Sequence, residues 1–199
     1  MKKNYKFFND YKSHFNQTFE NINFENLENI ILKLIKIRNQ GGRIFCIGVG
    51  GSAANASHLV NDLRKICNIE CYSPSDNVSE LSARINDDGW QTSYSEWLKV
   101  SKLNKKDAIL VLSVGGGNKS KKISMNIVES IKVAQKVGAS ILGFVGKNGG
   151  YTKKVGEKYV VLIKVKNSKL VTPIVEAMQA VLWHYIVSDH RLKKNKTKW

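Results

Sequence analysis

The sequence predicts an α/β protein: a five-stranded, doubly wound parallel sheet with a two-helix extension at its N-terminus. Three observations lead there. From Arg43 onward, five short apolar runs alternate with segments of helical periodicity, the pattern of strands buried between helices on both faces. Two of those runs end in a glycine-rich loop with a hydroxyl, Gly48-Val49-Gly50-Gly51-Ser52 and Ser113-Val114-Gly115-Gly116-Gly117. The first 40 residues hold no such run and carry aromatic and aliphatic residues at helical spacing instead.

In chain order, Phe7, Phe8, Tyr11, Phe15 and Phe19 mark a first helix, and Leu27, Ile30, Ile31, Leu34, Ile35 and Ile37 mark a second. Asn23 is a candidate N-cap for the second, and Gly41-Gly42 is its stop. Strands are expected near residues 43–48, 69–73, 107–113, 140–145 and 159–165. Helices are expected near 52–66, 77–86, 90–100, 119–137 and 172–189. No linker or low-complexity block interrupts residues 1–199, which read as one domain, with 1–40 as the helical extension and 191–199 as a basic tail.

Composition narrows the class further. No apolar run approaches the roughly 18–20 residues needed to span a bilayer, so no membrane partner is expected. Met1-Lys2-Lys3-Asn4-Tyr5 is basic but precedes no apolar signal core. The three cysteines, Cys46, Cys67 and Cys71, are odd in number and lack CxxC spacing, which fits a reduced, cytoplasmic protein with Cys46 buried in a strand. The net charge of +16 invites a nucleic-acid reading. Against it, 27 of the 32 basic residues are lysine and five arginine, whereas base readout and phosphate forks favour arginine. Apart from Lys193-Lys194-Asn195-Lys196-Thr197-Lys198 the lysines are scattered. A general attraction for anionic small molecules is the better expectation.

The two glycine loops lie at carboxyl ends of strands, where ligands bind in open α/β sheets. Ser52 opens a helix, Ser113 closes a strand and Ser120 falls near the expected start of the following helix. Small residues let an anion approach the backbone, and hydroxyls donate to it without fixed charge. A tight turn alone explains one such loop, but the pair points to a phosphate cradle. Gly48-Val49-Gly50-Gly51-Ser52-Ala53 also satisfies the dinucleotide fingerprint, with Glu70 at a suitable distance. That reading leaves the second loop without a role and the chain without room for a substrate domain.

Helical spacing supplies a second constellation. His58 and Asp62 are four apart, and Glu176 and His184 are eight apart, so each pair shares one helix face. Imidazole and carboxylate on one face are what a helix offers a divalent metal. A half-buried histidine or a solvated face explains any one of these residues alone. His14 and His190 have no spacing partner.

Taken together, the Gly48–Ser52 loop, the stretch Ser113-Val114-Gly115-Gly116-Gly117-Asn118-Lys119-Ser120 and the two N-terminal helices resemble the sugar isomerase (SIS) domain family. Within it they resemble the phosphoheptose isomerases, which interconvert sedoheptulose 7-phosphate and D-glycero-D-manno-heptose 7-phosphate. Asn86-Asp87-Asp88-Gly89 is similar to the family's Asn-Asp-x-Gly segment, and Gly146-Lys147-Asn148-Gly149-Gly150 to its Gly-x-x-Gly-Gly turn. The resemblance covers nearly the whole chain. It implies a flavodoxin-like sheet and a homotetramer with active sites between subunits. It also implies a phosphorylated sugar as substrate, and zinc or another divalent metal held by His58, Asp62, Glu176 and His184. Asp62 and His184 become the acid–base pair, and substrate contacts fall at Gly51, Ser52, Asp87, Ser113, Val114, Gly115, Ser120 and Thr172; an N-cap role explains Thr172 equally well.

The chain departs from the family pattern at several of these positions. Val49 stands for an asparagine, Val114 and Gly115 for a Thr-Ser pair, Asp62 for a glutamate and Glu176 for a glutamine, with one extra residue before Ser120. Fewer hydroxyls remain for a phosphate. Lys119 could supply compensating charge or be a solvated lysine at a helix start. A non-catalytic, phosphosugar-binding or regulatory member of the same fold is the alternative these departures keep open.

Overall fold

The computed structural model describes residues 5–197; residues 1–4 and 198–199, the first of the N-terminal basic stretch and the last of the tail, lie outside them. Strands β1 (Ile44–Ile47), β2 (Cys71–Tyr72), β3 (Ala108–Ser113), β4 (Ser140–Gly146) and β5 (Val160–Ile163) form one parallel sheet in the order β2-β1-β3-β4-β5. This is the flavodoxin-like order, and chain direction across the sheet reverses between β1 and β3. Phe45 pairs with Ile109 and Ile47 with Val111, so the two glycine loops leave neighbouring strands at similar height.

Near-continuous apolar strands need cover on both faces. Helices α2 (Phe24–Asn39), α3 (Gly51–Lys65) and α8 (Val171–Ser188) cover one face, packing Leu34, Leu59, Leu63, Met178 and Trp183 against Cys46, Leu110 and Phe144. Helices α5 (Ser93–Val100), α6 (Met125–Val137) and α7 (Gly150–Gly156) cover the other, with Tyr94, Leu98, Ile127 and Ile131 on Phe45, Ile109 and Val111. Asn23 caps α2 as expected, its side chain accepting from Asn26 N–H at 3.0 Å. Two helices carry almost nothing into the core. α1 (Lys6–Glu20) buries only Thr18, and α4 (Val78–Asp88) buries no residue.

Three expectations need correction. The helix read over 119–137 begins only at Met125. Ahead of it, Asn118 and Ile123 pair in an isolated antiparallel bridge, so residues 119–122 form a projecting lobe rather than a first helical turn. Directly after the Gly146–Gly150 turn stands a helix that the expected elements do not include, α7. Finally, Ser168–Ser188 is a 21-residue stretch of mean hydropathy 1.3, long and apolar enough by composition to cross a bilayer. Its apolarity has a use within the fold, because Ile174, Val175, Met178, Leu182, Trp183, Ile186 and Val187 are all buried.

The amino-terminal edges of β1 and β3 are pinned by one carboxylate. Asp107, 1% exposed, accepts from the backbone N–H and guanidinium of Arg43 at 2.9 and 2.8 Å, and from Asn104 N–H and Nδ2 at 3.1 and 2.9 Å. Removing it leaves the Arg43 guanidinium with only the Ser101 and Lys102 carbonyls as partners and two backbone donors without one. Asp107→Ala is expected to cost about 3 kcal/mol, a fall in Tm of roughly 6–12 °C. A melting curve within about 2 °C of the parent protein would show that this clasp does not hold the register.

Candidate functional site

At the carboxyl edge, β1 runs into Gly48, the chain turns at Gly50 with φ +62°, and α3 begins at Gly51. Tyr94 ties this loop to α5 by donating its hydroxyl to the Gly48 carbonyl at 2.8 Å. The start of α3 is not an empty anion seat. A Cβ on Gly51 would lie 2.4 Å from Glu176 Oε2, and Ser52 donates its hydroxyl to Glu176 Oε1 at 3.3 Å. Here the chain places its own carboxylate on the positive end of the helix, and Ser52, 1% exposed, is already engaged.

The second loop is open. Ser113, at the end of β3, accepts through its hydroxyl oxygen from Gly115 N–H at 3.3 Å and Gly116 N–H at 3.0 Å. Its hydroxyl proton therefore remains as the group to offer a ligand. Nothing stands within 4 Å of the space above Gly115. Gly116 has φ +68°, and a Cβ there would meet the Gly149 carbonyl at 1.9 Å. Thr152 bonds the Gly116 carbonyl through both N–H and hydroxyl, at 3.0 and 2.8 Å. The loop is thus clamped onto the turn after β4, and Val114 packs its side chain toward the α8 face.

Ser120 does not reach the helix start. It is exposed in the lobe and donates to Asn118 Oδ1 at 2.9 Å. The hydroxyl at the N-cap of α6 is that of Ser124, which makes no capping hydrogen bond and sits in the left-handed region at φ +51°. Sequence reasoning missed it, although a serine just before the apolar run Ile127, Val128 and Ile131 is an N-cap signal. Asp87 lies exposed near the end of α4, its Oδ1 accepting from Asn86 Nδ2 at 2.7 Å. Thr172 is exposed within the first turn of α8, where Leu170, not Thr172, is the N-cap.

Of the four metal-ligand candidates, three converge. His58, Asp62 and His184 present donor atoms within 4.8 Å of one another. Asp62 Oδ2 stands 3.6 Å from His58 Nε2 and 3.6 Å from His184 Nε2. Trp183 Nε1 donates to the same oxygen at 3.2 Å. His184 Nδ1 lies 2.8 Å from the Ala180 carbonyl; a carbonyl can only accept, so Nδ1 carries a proton, and in the neutral ring the lone pair is on Nε2. That second-sphere bond is the arrangement of a metal-ligating imidazole. Two imidazole nitrogens and a carboxylate facing one another are chemically suited to a divalent cation. Glu176 stays outside this group, at the start of α3.

Residues 6–146 match the family model described as SIS domain. The chain is 27% identical over 160 residues to the lincomycin biosynthesis protein LmbN of Streptomyces lincolnensis, covering 75% of this chain and 56% of that protein, so it spans little more than half of that relative's length. It is 27% identical over 172 residues to a probable phosphoheptose isomerase of Thermoplasma acidophilum, covering 83% of this chain and 87% of that one. Its fold is similar to that of phosphoheptose isomerase from Neisseria gonorrhoeae, with a TM-score of 0.76 at 20% identity, covering 90% and 92% of the two chains.

The geometry separates the candidate ligands by experiment. Zinc affinity, measured by competition with a chromogenic chelator, is expected to fall about tenfold or more in Asp62→Asn and His184→Ala. In Glu176→Gln it is expected to stay within about twofold of the parent, because this carboxylate is spent on α3. Equal losses in all three variants would put Glu176 among the ligands after all.

Proposed function

The chain belongs to the SIS domain family, and on that footing we propose that it is a sugar-phosphate isomerase interconverting a ketose and an aldose phosphate. We infer sedoheptulose 7-phosphate and D-glycero-D-manno-heptose 7-phosphate as the pair. The observation that carries the reading is the convergence of His58 and Asp62, on the helix that leaves the first strand-end loop, with His184 of α8, since isomerisation needs proton carriers and charge stabilisation.

In this reaction a base removes a proton from C1 of the ketose while the C2 oxygen gathers negative charge. The proton returns to C2 as O1 becomes the aldehyde oxygen. Asp62 is the proposed base. Its side chain is 8% exposed, and the Trp183 indole N–H fixes one oxygen in place. His184, with Nδ1 committed to Ala180, has Nε2 as its one remaining donor atom, which moves a proton between the substrate oxygens only while it does not hold a cation. His58, Asp62 and His184 would hold a divalent cation such as zinc, which supplies positive charge for the developing oxyanion. Ser113 anchors the phosphate from the β3 loop, while Asp87 and Thr172 are proposed contacts for sugar hydroxyls.

A second reading is supported by a specific feature. The loop after β3 offers Val114 and Gly115 where hydroxyls would hold a phosphate, and Glu176 places a negative charge at the other loop. A non-catalytic phosphosugar-binding or regulatory protein would tolerate both. An NMR time course with sedoheptulose 7-phosphate on metal-stripped protein, with and without added zinc, separates the two. The isomerase reading expects heptose 7-phosphate to accumulate with zinc, and His184→Ala to slow it by about a hundredfold or more. Binding of the sugar phosphate without turnover under either condition would establish the regulatory reading instead.

We also propose a homotetramer as the working state. Helix α1 exposes Phe7 by 65% and Phe8 by 62%, and α4 leaves Val78 and Ile85 exposed. An isolated amphipathic helix of this length is marginal in water, so these faces are suited to copies of the same chain. Deleting residues 1–20 is expected to reduce the sedimenting mass to that of a smaller species and abolish turnover together. A fully active monomer from that deletion would overturn the assembly.

A further inference from the structure

We propose that the amino-terminal edge of the sheet carries a second binding site, for a small molecule bearing a diphosphate or triphosphate group. Its walls are Lys33, Lys36 and Gln40 at the end of α2, Lys105 and Lys106 ahead of β3, and Ser140 at the start of β4. They enclose a cavity of about 580 Å³, a volume that suits a small ligand. No residue of the glycine loops or of the His58, Asp62 and His184 trio lines it.

Four ammonium groups share this cavity, and none is neutralised. Among the described residues, no hydrogen bond or ion pair engages the ammonium of Lys36, Lys105 or Lys106. Lys33 meets only the face of the Tyr159 ring, 4.8 Å from its centroid. No carboxylate lines the cavity. Asp107, next in the chain to Lys106, is committed to Arg43 and Asn104. Helix polarity does not account for the cluster either. The ends of α2 and α6 reach the cavity at Gln40 and Gly138 and bring about half a negative charge each, against four positive ones. Several of their last carbonyls already accept from the N–H groups of Gln40, Gly42, Gly138 and Ala139.

The backbone that presents these lysines is fixed. Asn104 Oδ1 accepts from Lys106 N–H at 3.0 Å, and the Asn104 carbonyl accepts from Asp107 N–H at 3.0 Å. Lys105 and Lys106 therefore stand on a closed turn anchored by the Arg43–Asp107 clasp. A Cβ on Gly42 would lie 2.1 Å from the Lys106 carbonyl, so the chain leaving α2 closes directly on this turn. On the other side Gly138 stands against Lys105, whose Cβ would be 3.6 Å from a Cβ placed there. The Gln40 amide and the Ser140 hydroxyl have no partner among the described residues and add neutral donors to the four charges.

Charge identifies the ligand class. A phosphate monoester carries about −1.5 to −2 at neutral pH, roughly half of what four lysines offer. A run of two or three phosphoryl groups matches them better, and lysines engage its oxygens as point charges. Net charge alone gives no such focus, because fields are screened beyond about 8–10 Å at physiological salt. A second lysine-lined cavity, of about 450 Å³, holds Lys153, Lys164 and Lys166. There Lys153 is spent on the Glu157 and Val160 carbonyls, which leaves two cations.

The test is calorimetric titration of the full chain with inorganic phosphate, inorganic pyrophosphate and ADP, with amide NMR shifts to place the site. Pyrophosphate is expected to bind about tenfold or more tighter than phosphate, with shifts centred on Gln40, Lys105, Lys106 and Ser140. Lys105→Gln combined with Lys106→Gln is expected to weaken pyrophosphate about tenfold or more. Lys36→Gln, on a different element, reads the same loss if that pair disturbs the turn. Lys121→Gln combined with Lys122→Gln removes equal charge from the lobe after β3 and is expected to change nothing. ADP binding at least as tightly as pyrophosphate assigns the site to nucleotides, and weaker ADP binding assigns it to free pyrophosphate; both support it. Equal losses in the two double variants would reduce the effect to net charge and overturn the proposal. No pyrophosphate binding, or shifts confined to Gly115 and Ser124, would overturn it as well. Turnover of a sugar phosphate has no part in these readouts, so its failure removes the isomerase reading alone.

Discussion

The buried seam between α3 and α8 is the constraint on which the site depends. The two helices share one face of the sheet, and Leu59, Leu63, Leu182 and Trp183 shut water out between them. The polar groups caught in that seam have each found a partner. Asn55 Nδ2 donates to the Glu176 carbonyl and to Gln179 Oε1, both at 2.9 Å. Gln179 Nε2 donates to the Phe144 carbonyl of β4 at 3.2 Å, and the Trp183 indole donates to Asp62. Sliding α8 by one residue would break several of these bonds at once, each costing about 1–3 kcal/mol when left unmade. One register survives. It is the register that gathers His58, Asp62 and His184, and it also lays Glu176 on the first turn of α3.

Charge is distributed unevenly around that seam. Glu176 occupies the start of α3 and Asp62 lies about three turns further along the same helix, so the seam is rich in acceptors and suited to cations. The β3 side holds the reverse. Ser113 has committed its oxygen to its own loop, Ser124 leaves its hydroxyl uncommitted at the start of α6, and the lobe carries lysines. A sugar phosphate has matching polarity, with the anion at one end and a polarisable carbonyl at the other. A net charge of +16 would attract such a ligand from any direction, but screening over about 8–10 Å at physiological salt removes most orientation from that field. Local asymmetry between the two loops is what can orient it.

The sequence made the sheet legible because every strand but one is a run of buried apolar residues, and that pattern survives without tertiary knowledge. The pairing of His58 with Asp62 was legible for a similar reason, since four residues on a helix bring two side chains onto one face. His184 joined them through an expected resemblance rather than through spacing alone. The errors share a different cause. Nothing local in Asn118 to Ser124 forbids a helix, and only the Asn118–Ile123 bridge and two left-handed residues show that it starts later. Glu176 sits two helical turns from His184 on the same face, as its spacing required. Its destination was decided by the angle at which α8 crosses α3, which no periodicity records. The seven residues of α7 were too few to show any period.

The half-open state of the trio joins the chemistry to the proposed assembly. The His58 and His184 side chains are 53% and 52% exposed, whereas an enediolate must be kept from bulk water and stray protons. Asp62 is screened by Trp183, but the outer side of both imidazoles is bare in a single chain. Tyr185, the residue after His184, is also 50% exposed. The same chain leaves α1 and α4 with apolar faces and almost no buried residue. Among the described residues no segment covers the trio, whereas two uncovered amphipathic helices are the parts with which a copy of the chain could close its neighbour's site. On that view the water exclusion needed by the reaction and the burial needed by α1 and α4 are met by one event, the docking of copies.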